Sequence, residues 1–221
     1  VVKVLNVPYS ATQVITFDQR MTDGNMIHGV TRLFDARDSS GKVRMESSMG
    51  CFRDRNGQPY DRVAVRIIDP AVGTDLNWYA GGPAAKVAHL EHRSQDSALN
   101  HPGKELKNSV TTVKVPGQPA EMVKYEVLGT KFIGNVPVEG VRTTVTIPPG
   151  ERGNARPIVV ISEEWMAKEL GIIMSDTKDD PSRGRTEMVI ENLNLAEPDP
   201  AVFAPPEGYR IVDSSGNIDV R

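Results

Sequence analysis

The stretch that most constrains this sequence is residues 156–195, where three runs of strand composition are separated by turn chemistry. The first, residues 156–167, holds Ile158, Val159, Val160 and Ile161 in succession and then Trp165. The second is Leu170–Thr177. The third, Arg185–Leu195, follows a turn at Lys178–Gly184 that contains Pro181 and Gly184. β-Branched runs closed by Pro and Gly read as antiparallel strands in a meander. In the third run Val189, Leu193 and Leu195 occupy odd positions, with Asn192 and Asn194 between them. Met188 and Ile190 break that alternation, so both faces are expected to be partly covered.

The rest of the chain follows the same pattern. Residues 9–21 read as a strand, Asp23-Gly24-Asn25 as a turn, Met26–Ala36 as a second strand and Lys42–Ser48 as a third. Arg53–Pro59 reads as a polar loop. In Arg62–Ile68, Val63, Val65 and Ile67 alternate with Arg62 and Arg66, the signature of a half-buried strand. Asp75–Ala80, with Trp78, and Lys86–His92 continue the series. Residues 93–119 are the least regular, with Ser94–Asn100 as a candidate short helix; a loop this long is often functional. Val123–Ile133 and Val138–Ile147 form a hairpin in which Val141, Val145 and Ile147 face one side and Arg142, Thr144 and Thr146 the wetter one. Asp199 is placed to N-cap a single helical turn begun by Pro200. About ten strands and no long amphipathic helix predict a mainly β chain, with one strongly curved antiparallel sheet and a single domain over residues 1–221.

Composition narrows the functional classes. A net charge of −3 gives no basic footprint for nucleic acid. The one cysteine, Cys51, cannot form a disulfide within the chain, and a small buried residue is its expected role. No apolar run approaches the roughly 18 residues of a membrane span. The first residues, Val1-Val2, lack an initiator Met, which is read as a processed form with a signal peptide removed, hence a periplasmic or secreted protein.

Glu164-Trp165, the strand Gly171–Ser175, the Asp-Pro-Ser-Arg-Gly turn, Glu191-Asn192-Leu193, Pro198–Phe203 and Pro206–Tyr209 together resemble the periplasmic outer-membrane lipoprotein carrier (LolA-like) superfamily. Residues 128–140 look like a hairpin of the same group. The resemblance covers residues 123–212 and, further toward the N-terminus, only the order of strands. It implies an incomplete β-barrel, open on one side, whose concave face holds lipid chains. The sequence departs from that group in having no long lid helix.

With that fold, the leading reading is a cell-envelope protein that binds an apolar ligand, a lipid or acyl chain, without cofactor. The candidate wall is Trp165, Ile161, Val159, Trp78 and Phe132; the bland role for these side chains is core. Trp165 shares a strand face with Val159 and Ile161 by period-two spacing. The alternative is a metal protein or metal-dependent enzyme using His89, His92 and His101. A strand over Lys86–His92 opposes it, because His89 and His92 then point to opposite faces. A third reading is an interaction domain within an envelope assembly. Glu163 and Glu164, being adjacent, are not expected to form a carboxylate pair with each other. No Gly-x-Ser-x-Gly, phosphate loop or His-Glu-x-x-His occurs.

Overall fold

The structure, a computed structural model, describes residues 5–83, 85–92, 107–113 and 121–214. Its strands are β1 (Tyr9–Arg20), β2 (Met26–Arg37), β3 (Val43–Arg53), β4 (Pro59–Asp69), β5 (Thr74–Ala80), β6 (Val87–His92), β7 (Ser109–Val113), β8 (Glu121–Ile133), β9 (Val136–Ile147), β10 (Ile158–Ala167), β11 (Ile172–Asp180), β12 (Gly184–Asn194) and β13 (Arg210–Asp213), with a 3-10 turn at Pro200–Phe203. They form one sheet of 13 strands in the order β13-β6-β5-β4-β3-β2-β1-β12-β11-β10-β9-β8-β7. Among the described residues β13 and β7 are the two ends of that order, so the sheet is open. The pairings with a defined register are antiparallel, except that β13 runs parallel to β6. The chain is therefore mainly β with one predominantly antiparallel sheet, as the alternation predicts, and the sheet is open, as the resemblance implies.

Three details differ from the sequence reading. β3 continues through Cys51 to Arg53, pairing Cys51 with Asp61 and Phe52 with Tyr60. Cys51 is consequently exposed rather than buried. β11 runs to Asp180, and the Asp180 carboxylate accepts hydrogen bonds from the Ser182 N–H at 2.8 Å and its hydroxyl at 2.6 Å. Those bonds tighten the following turn, so it needs fewer residues than Lys178–Gly184. β7 and β13 were not anticipated; each is short, and each exists through a partner strand rather than through its own pattern. The candidate helix at Ser94–Asn100 lies outside the described residues.

The chain divides into two compact units: Val1–Gln13, Arg32–Asn100 and Glu191–Arg221 in the first, Val14–Thr31 and His101–Ile190 in the second. In the first unit, Val63, Val65 and Ile67 lie on one face of β4. Register aligns Val65 with Trp78 and Ala88, and Ile67 with Leu76 and Leu90. This stripe is the unit's apolar core, and Phe203 and Tyr209 of the C-terminal segment pack on it. Tyr209 meets Trp78 edge-on at 6.3 Å and donates its hydroxyl to the Tyr79 carbonyl at 2.9 Å. Asp199 Oδ1 accepts from the Ala201 N–H at 2.9 Å and Pro200 follows it, the cap expected from the sequence. Arg44 Nη1 donates to the Val202 carbonyl at 2.8 Å, tying the 3-10 turn to β3.

In the second unit, Val123, Val145, Ile147, Val160 and Met174 share a face by register. Ile147, Val123 and Met174 are buried. The opposite face is not the wetter one expected, since Arg142, Thr144 and Thr146 are half-buried just as Val141 and Val145 are. Two contacts explain this. Arg142 Nη2 pairs with Glu163 Oε1 at 2.6 Å, directly across β9 and β10. Further along the same face, the Trp165 ring lies over Gly140: a Cβ there would come within 2.5 Å of it. In β12 the half-covered positions are Gly184, Thr186, Met188, Val189 and Ile190, then Leu193. Met188, Val189 and Ile190 in succession leave both faces partly covered, as the broken alternation predicts, and Asn192 beyond them stands at φ 53.

Candidate functional site

A half-buried strand has two faces, and in β4 the face opposite the apolar core carries Arg62, Ala64 and Arg66. Register extends this face in rows across the first unit. Ala64 aligns with Ser47 and Tyr79, and Arg66 aligns with Met45, Asn77 and His89. These residues line a concavity of about 950 Å³, bordered also by Gln13, Glu46, Val65, Trp78, Ala85, Val87 and Glu91. Binding sites for small molecules enclose roughly 300–1,000 Å³. Its lining is mixed: Met45, Ala64, Tyr79, Ala85 and Val87 supply apolar surface, and Arg62, Arg66, Asn77 and His89 the polar groups.

The charges around it are mostly neutralised within the protein. Arg66 is ion-paired with the buried Asp75. Glu46 pairs with Arg44 at 2.6 Å and accepts from the Phe34 N–H at 2.9 Å. At one margin Gln13 Nε2 donates to Asp35 Oδ2 at 3.2 Å, and Tyr9 donates its hydroxyl to the same oxygen at 3.0 Å. Burial pushes the Asp35 carboxyl above its usual range, against the pull of the Tyr9 and Gln13 hydrogen bonds and of Arg37. Burial, then the neighbouring Asp35, likewise drive the Tyr9 phenol up.

The predicted wall residues are divided between the two units. Trp78 borders the concavity, but only 3% of its surface is exposed, and it packs among Val65, Ala88 and Tyr209. Val159, Ile161 and Trp165 do share a face in the second unit, together with the Arg142–Glu163 pair. Val159 and Ile161 are 38% and 41% exposed. Trp165 has Gly140 against its ring and the Lys131 ammonium 3.7 Å from its centroid. Phe132, near the β8–β9 turn, is 72% exposed.

The histidines of the metal alternative are likewise separated. β6 is a strand, so His89 and His92 point to opposite faces; His89 borders the concavity with Nδ1 3.2 Å from Ser214 Oγ. His92 Nε2 lies 3.4 Å from Asp213. His101 is outside the described residues. Among the described residues no three His, Cys, Asp or Glu converge as metal ligands.

Sequence reasoning missed Arg62, Ala64 and Tyr79 as one surface. The alternation in Arg62–Ile68 marked the wet face, but only strand register shows which residues of β3, β5 and β6 complete it. The aromatic residues Phe52, Tyr60 and Tyr79 around Arg62 come from three strands for the same reason.

No protein-family model matches the sequence, and no curated protein does. Among solved structures, the chain is similar to a β-barrel-like protein of a domain of unknown function from Brucella abortus, at 12% identity and a TM-score of 0.39, over 88% of this chain and 100% of that one. It is similar also to a candidate lipoprotein from Parabacteroides distasonis, at 11% identity and a TM-score of 0.33, over 87% of this chain and 97% of that one.

Proposed function

We propose that the protein is a cell-envelope binding protein that holds the acyl part of a lipid-like ligand in the concavity of the first unit. The observation that carries this reading is the concavity of about 950 Å³ on the face of β3–β6 opposite the apolar core. Because Phe203 and Tyr209 already cover the other face, the apolar side chains Met45, Ala64, Tyr79 and Val87 are available to a ligand without opening the core. Burying an acyl chain there removes apolar surface from water at roughly 25 cal/mol per Å², before ordering costs. The resemblance to lipoprotein carriers supports an envelope location and a lipid ligand. Among the described residues, no helix is long and apolar enough to cross a membrane.

The test is titration of lipid-stripped protein with dodecanoate, followed by tryptophan fluorescence. Trp78→Phe leaves Trp165 as the sole reporter, on the face with Ile161 and Val159, and Trp165→Phe leaves Trp78 beside the concavity. Saturable binding seen through Trp78, and abolished by Ala64→Arg, is the expected result. A response seen only through Trp165 moves the ligand to the second unit. A flat titration at high-micromolar ligand overturns the reading.

A further inference from the structure

We propose that Arg62 is the anchor for an acidic head group, a carboxylate borne by the acyl ligand; the inference rests on the binding reading above and names the ligand's polar end. Arg62 stands two residues after Tyr60 on β4, so both project from one face. Phe52 pairs with Tyr60 across β3 and β4, their rings stacked at 6.0 Å. Tyr79 is opposite Ala64, the next residue on that face. The Arg62 guanidinium carbon therefore lies within three aromatic side chains, 4.8 Å from the Phe52 centroid and 5.7 Å from those of Tyr60 and Tyr79. A planar, weakly hydrated guanidinium is suited to such stacking, and an ammonium is not an equivalent substitute.

The cradle is held from behind. Gly82 has φ +63, and a Cβ there would come within 2.2 Å of the Tyr60 ring. The β5–β6 turn thus presses on Tyr60 at a place only glycine fits. Tyr60 in turn accepts a hydrogen bond from Arg62 Nη2 at 3.0 Å. The guanidinium is fixed in place by rings and one hydroxyl.

Its charge, however, is not neutralised by a carboxylate. Arg44 and Arg66, on the same strands, pair with Glu46 and Asp75. Among the described residues Arg62 has no ion pair, and its buried Nε has no hydrogen-bond partner. Glu91, the other acid at the cavity margin apart from the paired Glu46, belongs to the row of Ile68 and Asp75. Six residues of strand separate that row from Arg62, roughly 20 Å, too far for pairing. A preorganised, unneutralised guanidinium at the end of a partly apolar cavity is the arrangement that recognises a carboxylate through parallel N–H donors. The tail would then run along Ala64, Tyr79, Val87 and Met45.

Lipid-stripped protein is titrated with dodecanoate and with dodecanol, for the parent chain, Arg62→Gln and Arg62→Lys. The parent is expected to bind the acid about tenfold or more tightly than the alcohol, from charge-assisted hydrogen bonding. That preference should weaken as salt rises. Arg62→Gln should abolish it while leaving the alcohol bound, and Arg62→Lys should retain only part. Equal binding of acid and alcohol by the parent, or an undiminished preference in Arg62→Gln, overturns the proposal while the cavity reading stands. If neither ligand binds the parent, both fall. Should Arg62→Gln fail to fold, the parent's preference and its salt dependence decide.

Discussion

Two side chains show how much single positions weigh in this sheet. Trp78 is surrounded by Val65, Ala88 and Tyr209, and truncating a buried Trp removes both apolar contacts and volume. Trp78→Ala is expected to destabilise the first unit by about 3–5 kcal/mol in urea unfolding; a loss below about 1 kcal/mol would refute its place in the core. Gly140 is the converse case, since its missing side chain is what lets Trp165 lie flat on β9. Gly140→Ala should cost about 1–3 kcal/mol by overpacking, and Trp165→Leu in the same background should recover part of it. An additive double mutant would separate the two residues. The sequence announces neither relation. It marks Trp78 and Trp165 as large apolar groups on strands, but whether such a group meets the core, a glycine or a ligand depends on the neighbouring strand.

Strand by strand, alternation was legible and register was not. Glu163 and Glu164 fall on opposite faces as period two requires, yet their partners come from strands on either side. Glu163 meets Arg142 on β9, while Glu164 is aligned with Asp176 on β11. Burial, then the Asp176 charge, raises the Glu164 carboxyl above its usual range. Burial raises Asp176 too, partly offset by Lys178. For both, the folded state holds its proton more tightly than the unfolded state does. Their contribution to stability is therefore greatest below the ordinary carboxylate range and falls as pH rises through the raised folded values. Asp69 and Asp180 act in the other direction. Burial alone would raise them, but Lys42 at Asp69 and Ser182 at Asp180, with further hydrogen bonds, leave both lowered. Their contribution is lost as pH falls through the lowered values. Comparing Glu164→Gln with the parent isolates the first effect: the variant should gain stability relative to the parent as pH rises from the ordinary carboxylate range through the raised folded value. Parallel stability curves for the two chains would show that Glu164 is not under this constraint. The polar turn at residues 54–58 was legible from Asp54, Asn56 and Gly57, whereas the extension of β3 past Cys51 was not, because it depends on the partner positions Pro59–Asp61 of β4.

At the scale of the molecule, the mainly β class follows from the punctuation of the sequence and the open sheet from the resemblance, but the closure of the first unit by distant chain follows from neither. Its core stripe is built from β4, β5 and β6, and its cover from Phe203 and Tyr209. Nothing local in Pro198–Tyr209 beyond the Asp199 cap specifies where that segment docks. Deleting residues 196–214 should strip the cover and β13 together, giving a chain that binds ANS and loses its near-UV signal while keeping strand content. A truncated chain with parent-like near-UV signal and no ANS binding would show the cover to be dispensable. The cover also has a consequence for synthesis. Tyr209 is 130 residues beyond the Tyr79 carbonyl it caps. At roughly 5–20 residues per second on the ribosome, the interval between them is about 7–26 s. During that time Val65, Ile67 and Trp78 are already made and their cover is not. The nascent chain therefore carries an exposed apolar stripe, sticky to its neighbours, through much of its production. A holding factor that releases it only after Tyr209 has emerged would raise the yield of folded protein.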